Sequence, residues 1–209
     1  MVHNGEVPYP QGMKVLLCLP PGGFVPDKDG LMPPSGLPPL GLASMAAVLE
    51  RNGVAAEILD AHAEQLSWRQ VRGRIAQSRP DVVGVTFTTE TRARGFRLVR
   101  VAKQAVPHAR IVAGGPHVTF AATDSLSHVA ALDAVCRGEG EYTLLEAVQA
   151  LAQGRGFEGV VGISYRRHGE VVHNPPRPFL EDLDTLPLPA RHLLDMARYR
   201  GFVLPVPGR

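Results

Sequence analysis

The sequence predicts an α/β fold built on a doubly wound parallel sheet, and three observations carry that prediction. Short apolar runs alternate with amphipathic helical segments up to about residue 153, the pattern of strands joined by crossover helices. Residues 81–88 (DVVGVTFT) form an unbroken β-branched apolar run, as expected of a strand covered on both faces. The chain has 209 residues, enough for one well-buried domain of about 150 residues and an appendage.

Residues 14–19 (KVLLCL) read as the first strand, stopped by Pro20-Pro21-Gly22-Gly23, and a Pro/Gly-rich segment follows over 24–39. Leu42, Met45, Ala46 and Leu49 then share a helical face, and Asn52-Gly53 closes that helix. Residues 54–59 are the second strand, ending at Asp60. Ser67 and Gln70 make a capping box for the next helix, whose apolar face holds Trp68, Val71 and Ile75, and Pro80 ends it. After the third strand at 81–88, Phe96, Val99, Ala102 and Val106 space as a helix. Strand four covers 110–113, a weaker helix lies around 124–128, and strand five covers 132–136. A stronger helix follows Gly140, with Leu144, Leu145, Val148 and Leu151 inward. Five such units fit a flavodoxin-like domain. Beyond residue 160 the texture changes. Residues 161–165 and 170–173 flank Arg166-Arg167-His168-Gly169 and predict a β-hairpin. Asn174-Pro175-Pro176-Arg177-Pro178 cannot continue a sheet interior, and a Pro-rich linker completes the chain at VLPVPGR. That ending reads as a domain cut from, or joining, something larger.

Composition narrows the classes. With 44% hydrophobic and 20% charged residues the chain is globular. A net charge of +2 with interspersed signs argues against a nucleic-acid surface. Cys18 and Cys136 sit in apolar runs and read as buried core residues of a reducing compartment. No secretory leader is visible, and no apolar run reaches the roughly 20 residues of a membrane span, so a cytoplasmic address is expected. Arg92, Arg94, Arg97 and Arg100 read as a solvated or docking face more readily than as a phosphate site.

In such folds ligands bind at the carboxyl ends of the strands. The acidic pair and aspartate of a phosphoacceptor domain are replaced by Leu19-Pro20 and by residues 86–88 (TFT). No G-x-G-x-x-G follows strand one, and no phosphate-binding G-x-x-x-x-G-K-[ST] or nucleophile elbow occurs. What the strand ends hold is small and hydroxyl-bearing: Pro20, Pro21 and Gly22; Thr86, Thr88, Thr89 and Glu90; Gly114, Gly115, Pro116 and His117; and Gly138, Glu139, Gly140 and Glu141. Glycines let a large flat ligand lie on the backbone, and threonine hydroxyls bond amides without adding charge. The set suits a bulky, amide-rich, nearly neutral cofactor. A cofactor-less interaction or sensor domain, and a domain binding flavin or a nucleotide, stay open on the residues alone.

Six stretches in order, PPLGLASMAAVLERNG, ILDAHAEQLSW, RPDVVGVTFTTE, IVAGGPHVTF, AVCRGEGEYTLLEAV and LDTLPLPAR, resemble the N-terminal cobalamin-binding domain of cobalamin-dependent radical SAM enzymes. That family includes methyltransferases and the anaerobic magnesium-protoporphyrin ester cyclase. The similarity runs over about residues 14–199. It implies a corrin lying across the strand ends, with its nucleotide tail near Gly114 and Gly115. Thr86 and Thr88 match the hydroxyl motif after strand three, and residues 138–141 match the fifth-strand loop. For a full enzyme it implies methyl transfer from S-adenosylmethionine by way of cobalamin to a substrate carbon radical.

Two departures qualify the resemblance. The D-x-H-x-x-G histidine that ligates cobalt in other cobalamin domains is missing after strand one; Asp60-Ala61-His62 imitates it after strand two, with Gln65 at the glycine position. His62 therefore reads as a surface-loop histidine beside a capping Asp60, and His117 as a neighbour of the pocket; no metal ligand is expected. The C-x3-C-x2-C motif for a four-iron four-sulfur cluster is also absent, since Cys18 and Cys136 are the only cysteines. The chain alone is thus not expected to be catalytic. The expected division is 1–13 as an N-terminal extension, 14–156 as the cofactor domain, 157–180 as the hairpin and 181–209 as a linker toward a radical SAM barrel, in cis or in trans. S-adenosylmethionine and the cluster would belong to that barrel.

Overall fold

The computed structural model describes residues 12–22 and 37–199. Expectations for the N-terminal extension, Gly23, most of the Pro/Gly-rich segment and the VLPVPGR end lie outside those residues.

Five strands, β1 (Lys14–Leu19), β2 (Ala55–Asp60), β3 (Val82–Thr86), β4 (Arg110–Gly114) and β5 (Ala134–Cys136), pair in parallel. Six helices accompany them among the described residues: α1 (Leu40–Arg51), α2 (Trp68–Ser78), α3 (Arg92–Ala105), α4 (Pro116–Phe120), α5 (Ala122–His128) and α6 (Glu141–Ala152). The strand order β2-β1-β3-β4-β5 reverses between β1 and β3, which opens a crevice above their carboxyl ends.

The continuous apolar runs are explained by cover on both faces. Val15, Leu17, Val82, Val112 and Ala134 meet α1 and α6 on one side. Leu16, Cys18, Val83, Val85, Ile111 and Val135 meet α2, α3 and α5 on the other. Alternate residues of one strand therefore enter opposite cores. The capping box forms as expected: Gln70 N–H donates to Ser67 Oγ at 3.4 Å, and Ser67 N–H donates to Gln70 Oε1 at 2.9 Å.

The hairpin, β6 (Ile163–Arg167) and β7 (Glu170–His173), does not stand apart. β6 pairs antiparallel with β5, so the sheet has seven strands rather than five. His168 and Gly169 carry φ of 52° and 88°, the two positive values of a two-residue type I′ turn. The Arg166 guanidinium fixes the hairpin to the end of α5, donating to the carbonyls of Leu126, Ala130 and Leu132. Orphan carbonyls at a helix end are thereby satisfied by a cation placed where the helix dipole favours it.

Two smaller expectations shift. Strand five is shorter than 132–136, because Leu132 turns back toward Val129 and Asp133 N–H bonds Ile111 O from outside the strand. His117 lies on the short helix α4, not on a loop; Gly115 caps it and Pro116 occupies its first turn.

Beyond β7 the chain forms a strap across α1, with single helical turns at Leu183–Thr185, Arg191–Leu193 and Met196–Arg198. Ala190 N–H donates to Ala43 O at 2.9 Å, and Arg51 Nη1 donates to Thr185 O at 2.8 Å. The strap ends at Tyr199, whose hydroxyl donates to Asp60 Oδ2 at 3.0 Å.

Candidate functional site

The crevice at the strand ends is a cleft of about 700 Å3. Each wall comes from a different loop. Leu19, Pro20, Pro21 and Gly22 follow β1; Thr86, Phe87 and Thr88 follow β3; Gly114 and Gly115 end β4. The segment from Cys136 through Gly138, Glu139, Gly140 and Glu141 follows β5, and Leu42 and Met45 of α1 close one side.

The two adjacent glycines do different jobs. Gly115 has φ +97° and ψ 175°, a region nearly closed to other residues. A Cβ there would lie 2.7 Å from Thr86 Oγ1 and 2.8 Å from Phe87 O. Gly115 is therefore demanded by the backbone itself. A Cβ on Gly114 would meet nothing within 4 Å. Gly114 leaves open space in the cleft, where a ligand can approach the chain.

Eleven of the residues singled out from sequence thus line one cleft. Thr89, Glu90, Pro116 and His117 do not. Thr89 Oγ1 and His117 Nδ1 lie 3.1 Å apart, and the His117 ring packs beside Phe87 and Phe96 with centroids at 5.9 and 5.8 Å. His117 belongs to an aromatic cluster behind the wall formed by Phe87. Thr88 Oγ1 lies 3.2 Å from Thr91 Oγ1, so this hydroxyl helps set the turn into α3. The Thr86 hydroxyl makes no bond with the described residues and remains available to a ligand.

Glu139 does not cap α6; its Oε2 accepts the Leu180 N–H at 2.9 Å, fastening the strap to the β5 loop. Cys136 reaches the cleft wall yet stays buried, which pushes its thiol up to about 12, with Arg177 pulling slightly the other way. Cys18 is raised further by complete burial. Neither is a thiolate at neutral pH.

His62 departs from expectation. Asp60 does cap the turn after β2: its Oδ1 accepts His62 N–H at 3.1 Å and Ala63 N–H at 2.8 Å. That turn places the His62 ring on the cleft wall instead of the surface. The ring fills the space a side chain on Gly22 would need, at 1.9 Å from such a Cβ. Its Nδ1 is buried without a partner. The sequence hint was Gly22 itself, a small residue opposite a large one across two strand-end loops.

Arg94, in the first turn of α3, also lines the cleft. Two other arginines of that helix are engaged elsewhere. Arg92 Nη1 donates to Thr89 O at 2.7 Å, and Arg97 lies over the Trp68 ring at 4.5 Å. Among the described residues no group of three or more His, Cys, Asp or Glu side chains could hold a metal ion. No helix among them is long and apolar enough to cross a membrane.

Comparison with known proteins agrees with this architecture. The family model described as "B12 binding domain" matches residues 33–148, more than half of the chain. An uncharacterized methyltransferase of Pyrococcus horikoshii is 37% identical over 193 residues, which is 92% of this chain and 41% of that protein. The anaerobic magnesium-protoporphyrin IX monomethyl ester cyclase of Rubrivivax gelatinosus is 36% identical, over 78% of this chain and 30% of that protein. The chain thus spans less than half the length of these relatives. Among solved structures, the cobalamin-dependent S-adenosylmethionine radical enzyme OxsB, with aqua-cobalamin and S-adenosylmethionine bound, superposes with a TM-score of 0.75 at 20% identity. The match covers 92% of this chain and 26% of OxsB. The radical S-adenosylmethionine methyltransferase TsrM of Kitasatospora setae, with cobalamin and a 4Fe-4S cluster bound, gives 0.64 at 22% identity, over 78% of this chain and 30% of TsrM. Those two likenesses establish the fold. The strand-end cleft, the sheet order and the family match converge: this chain belongs to the B12-binding domain family, whose cofactor is cobalamin.

Proposed function

We propose that this chain is the cobalamin-holding part of a radical SAM enzyme of the methyltransferase or cyclase type. On this reading residues 14–156 hold the corrin over the carboxyl ends of β1, β3, β4 and β5, with the nucleotide tail against Gly114 and Gly115. Residues 157–180 are its hairpin extension, and 181–209 lead toward a radical SAM barrel supplied in cis or in trans. The barrel would bring S-adenosylmethionine and the iron–sulfur cluster, because two buried cysteines cannot ligate one here.

The residues present suit the cofactor. The cleft walls are small and apolar, with free hydroxyl and backbone groups for the amides of a corrin. The observation that carries the reading is Gly114, whose missing side chain leaves open cleft against the backbone at the end of the central strands. Bound cobalamin would supply a cobalt-centred carrier of methyl groups. The chain's own residues would hold, orient and shield it: Pro20 and Pro21 would border the cofactor after β1, in a loop whose sequence offers no histidine as a metal ligand. Thr86, Thr88, Glu139 and Glu141 would bond corrin amides, and Thr89, Glu90, Pro116 and His117 would support the wall from behind.

The test is direct. The purified chain, mixed with hydroxocobalamin and desalted, should retain corrin absorbance in about equimolar amount. Gly114→Leu should lose that absorbance while keeping its unfolding transition. A colourless wild-type protein after saturation refutes the proposal.

A further inference from the structure

We infer that Arg94 is the cleft's anion-binding residue, and that it reads the phosphodiester of cobalamin's nucleotide loop. This rests on the cobalamin reading above and adds the part of the cofactor that sets specificity.

Arg94 is the only lysine or arginine on the cleft wall among the described residues. It is half-buried, and its side chain makes no hydrogen bond or ion pair with them; only its backbone N–H is engaged, on Thr91 O. Its guanidinium nitrogens are not buried among the described residues and have no partner there, so its five donors face the open cleft and are available to a ligand. The neighbouring cations have occupations: Arg92 bonds Thr89 O, Arg97 stacks on Trp68, and Lys103 Nζ pairs with Asp133 Oδ2 at 2.9 Å. Arg94 is the one left free toward the ligand.

Its surroundings favour an anion. The first turn of α3 carries no acidic residue; Glu90 precedes the helix but does not line the cleft, so Arg94 is the charge the helix start presents there. Thr88 and Thr91 stand beside it on the wall, their hydroxyls 3.2 Å apart and bonded within the turn, so they add no negative charge there. The acidic residues of the cleft, Glu139 and Glu141, come from the β5 loop, and Glu139 is engaged with Leu180 N–H. Cobalamin has amide side chains all round its corrin and a single phosphodiester, in the link to its nucleotide. A guanidinium matches phosphate oxygens with two parallel N–H donors, and matches neutral amides poorly. The cleft therefore distinguishes complete cobalamin from a corrinoid that lacks the nucleotide loop.

The test compares two ligands and two variants. Wild-type protein, Arg94→Gln and Arg94→Lys are titrated with hydroxocobalamin and with aquocobinamide, which has the corrin but no phosphodiester. Arg94→Gln should weaken cobalamin about tenfold to a hundredfold and leave cobinamide within about twofold. Arg94→Lys should recover part of the loss. Added potassium chloride should weaken cobalamin binding to the wild type and leave the Arg94→Gln variant nearly unaffected. Equal losses for both ligands, or no loss for cobalamin, overturn the assignment of Arg94. Failure of the wild type to bind either corrinoid overturns the cofactor reading itself, and this inference with it. Because Arg94 supports nothing else in the fold, all three proteins should unfold at the same temperature.

Discussion

Replacing each glycine of the Gly114-Gly115 pair by alanine should separate a backbone requirement from a ligand requirement. At Gly115, φ +97° with ψ 175° costs a residue with a Cβ about 1–3 kcal/mol. The new methyl would also lie 2.8 Å from Phe87 O and 2.7 Å from Thr86 Oγ1. The hydroxyl can rotate away; the carbonyl is main chain just past β3, where Phe87 N–H donates to Gly114 O at 3.4 Å, so it moves only with the backbone. Relieving that contact adds about 1–2 kcal/mol in the manner of other overpacked sites. The total is about 2–5 kcal/mol. At about 2–4 °C per kcal/mol for a chain of this size, Gly115→Ala should lower Tm by roughly 4–20 °C. Gly114→Ala meets nothing within 4 Å and should change Tm by less than about 2 °C. Thermal unfolding followed by far-ultraviolet circular dichroism, without cofactor, reads both. A Gly115→Ala protein that melts with the wild type, or a Gly114→Ala protein that falls equally far, refutes the reasoning.

Tyr199→Phe removes a donor to the buried Asp60 carboxylate, which keeps its two backbone partners; stability should fall by about 1–2 kcal/mol, and limited proteolysis should cut the strap sooner. A variant cut at the wild-type rate shows that the strap is held elsewhere. Burial and the neighbouring Asp60 raise the Tyr199 hydroxyl above the usual phenol range, so this bond should persist well past neutral pH. Both cysteines should resist Ellman's reagent at pH 8 in the native protein and react fully in guanidinium, since each thiol is buried and raised. Their folded values lie above the unfolded one, so this contribution is complete below about pH 8.5. It then declines by about 1.4 kcal/mol per thiol for each pH unit as the unfolded chain ionises. Urea midpoints at pH 8, 9 and 10 should show the decline, and a Cys18→Ala, Cys136→Ala double variant should lose it.

The parallel core was legible because its information is local. β-branched runs, the Ser67–Gln70 capping box and the prolines after α2 and α3 each mark an element by themselves. The hairpin was legible too, through His168-Gly169, yet its partner was not: nothing in residues 163–173 says that β6 will pair with β5. The start of α4 follows from Gly115-Pro116, a helix-start pair that the strand-end reading of residues 114–117 left out. Within the cleft, the loops after β1, β3, β4 and β5 followed from the doubly wound topology. Leu42, Met45 and Phe87 were hidden by their periodicity, since a residue at the end of an apolar face looks the same whether it meets core or ligand. His62 and Arg94 were hidden for another reason: their roles depend on what lies across the cleft, which spacing along the chain does not encode.

The strap has a consequence for the order in which this molecule assembles. Its bonds from Arg51 to Thr185, Glu50 to His192 and Asp60 to Tyr199 join residues 134, 142 and 139 positions apart. Contacts of such separation close large loops and gain nothing until α1 and β2 are already in place. The strap is therefore expected to dock after α1 and β2 have formed and to release before them, an order that hydrogen exchange of its amides would read. Because it crosses α1 and reaches the turn that carries His62, the strap ties two walls of the cleft, α1 and the turn after β2, to one late stretch of chain.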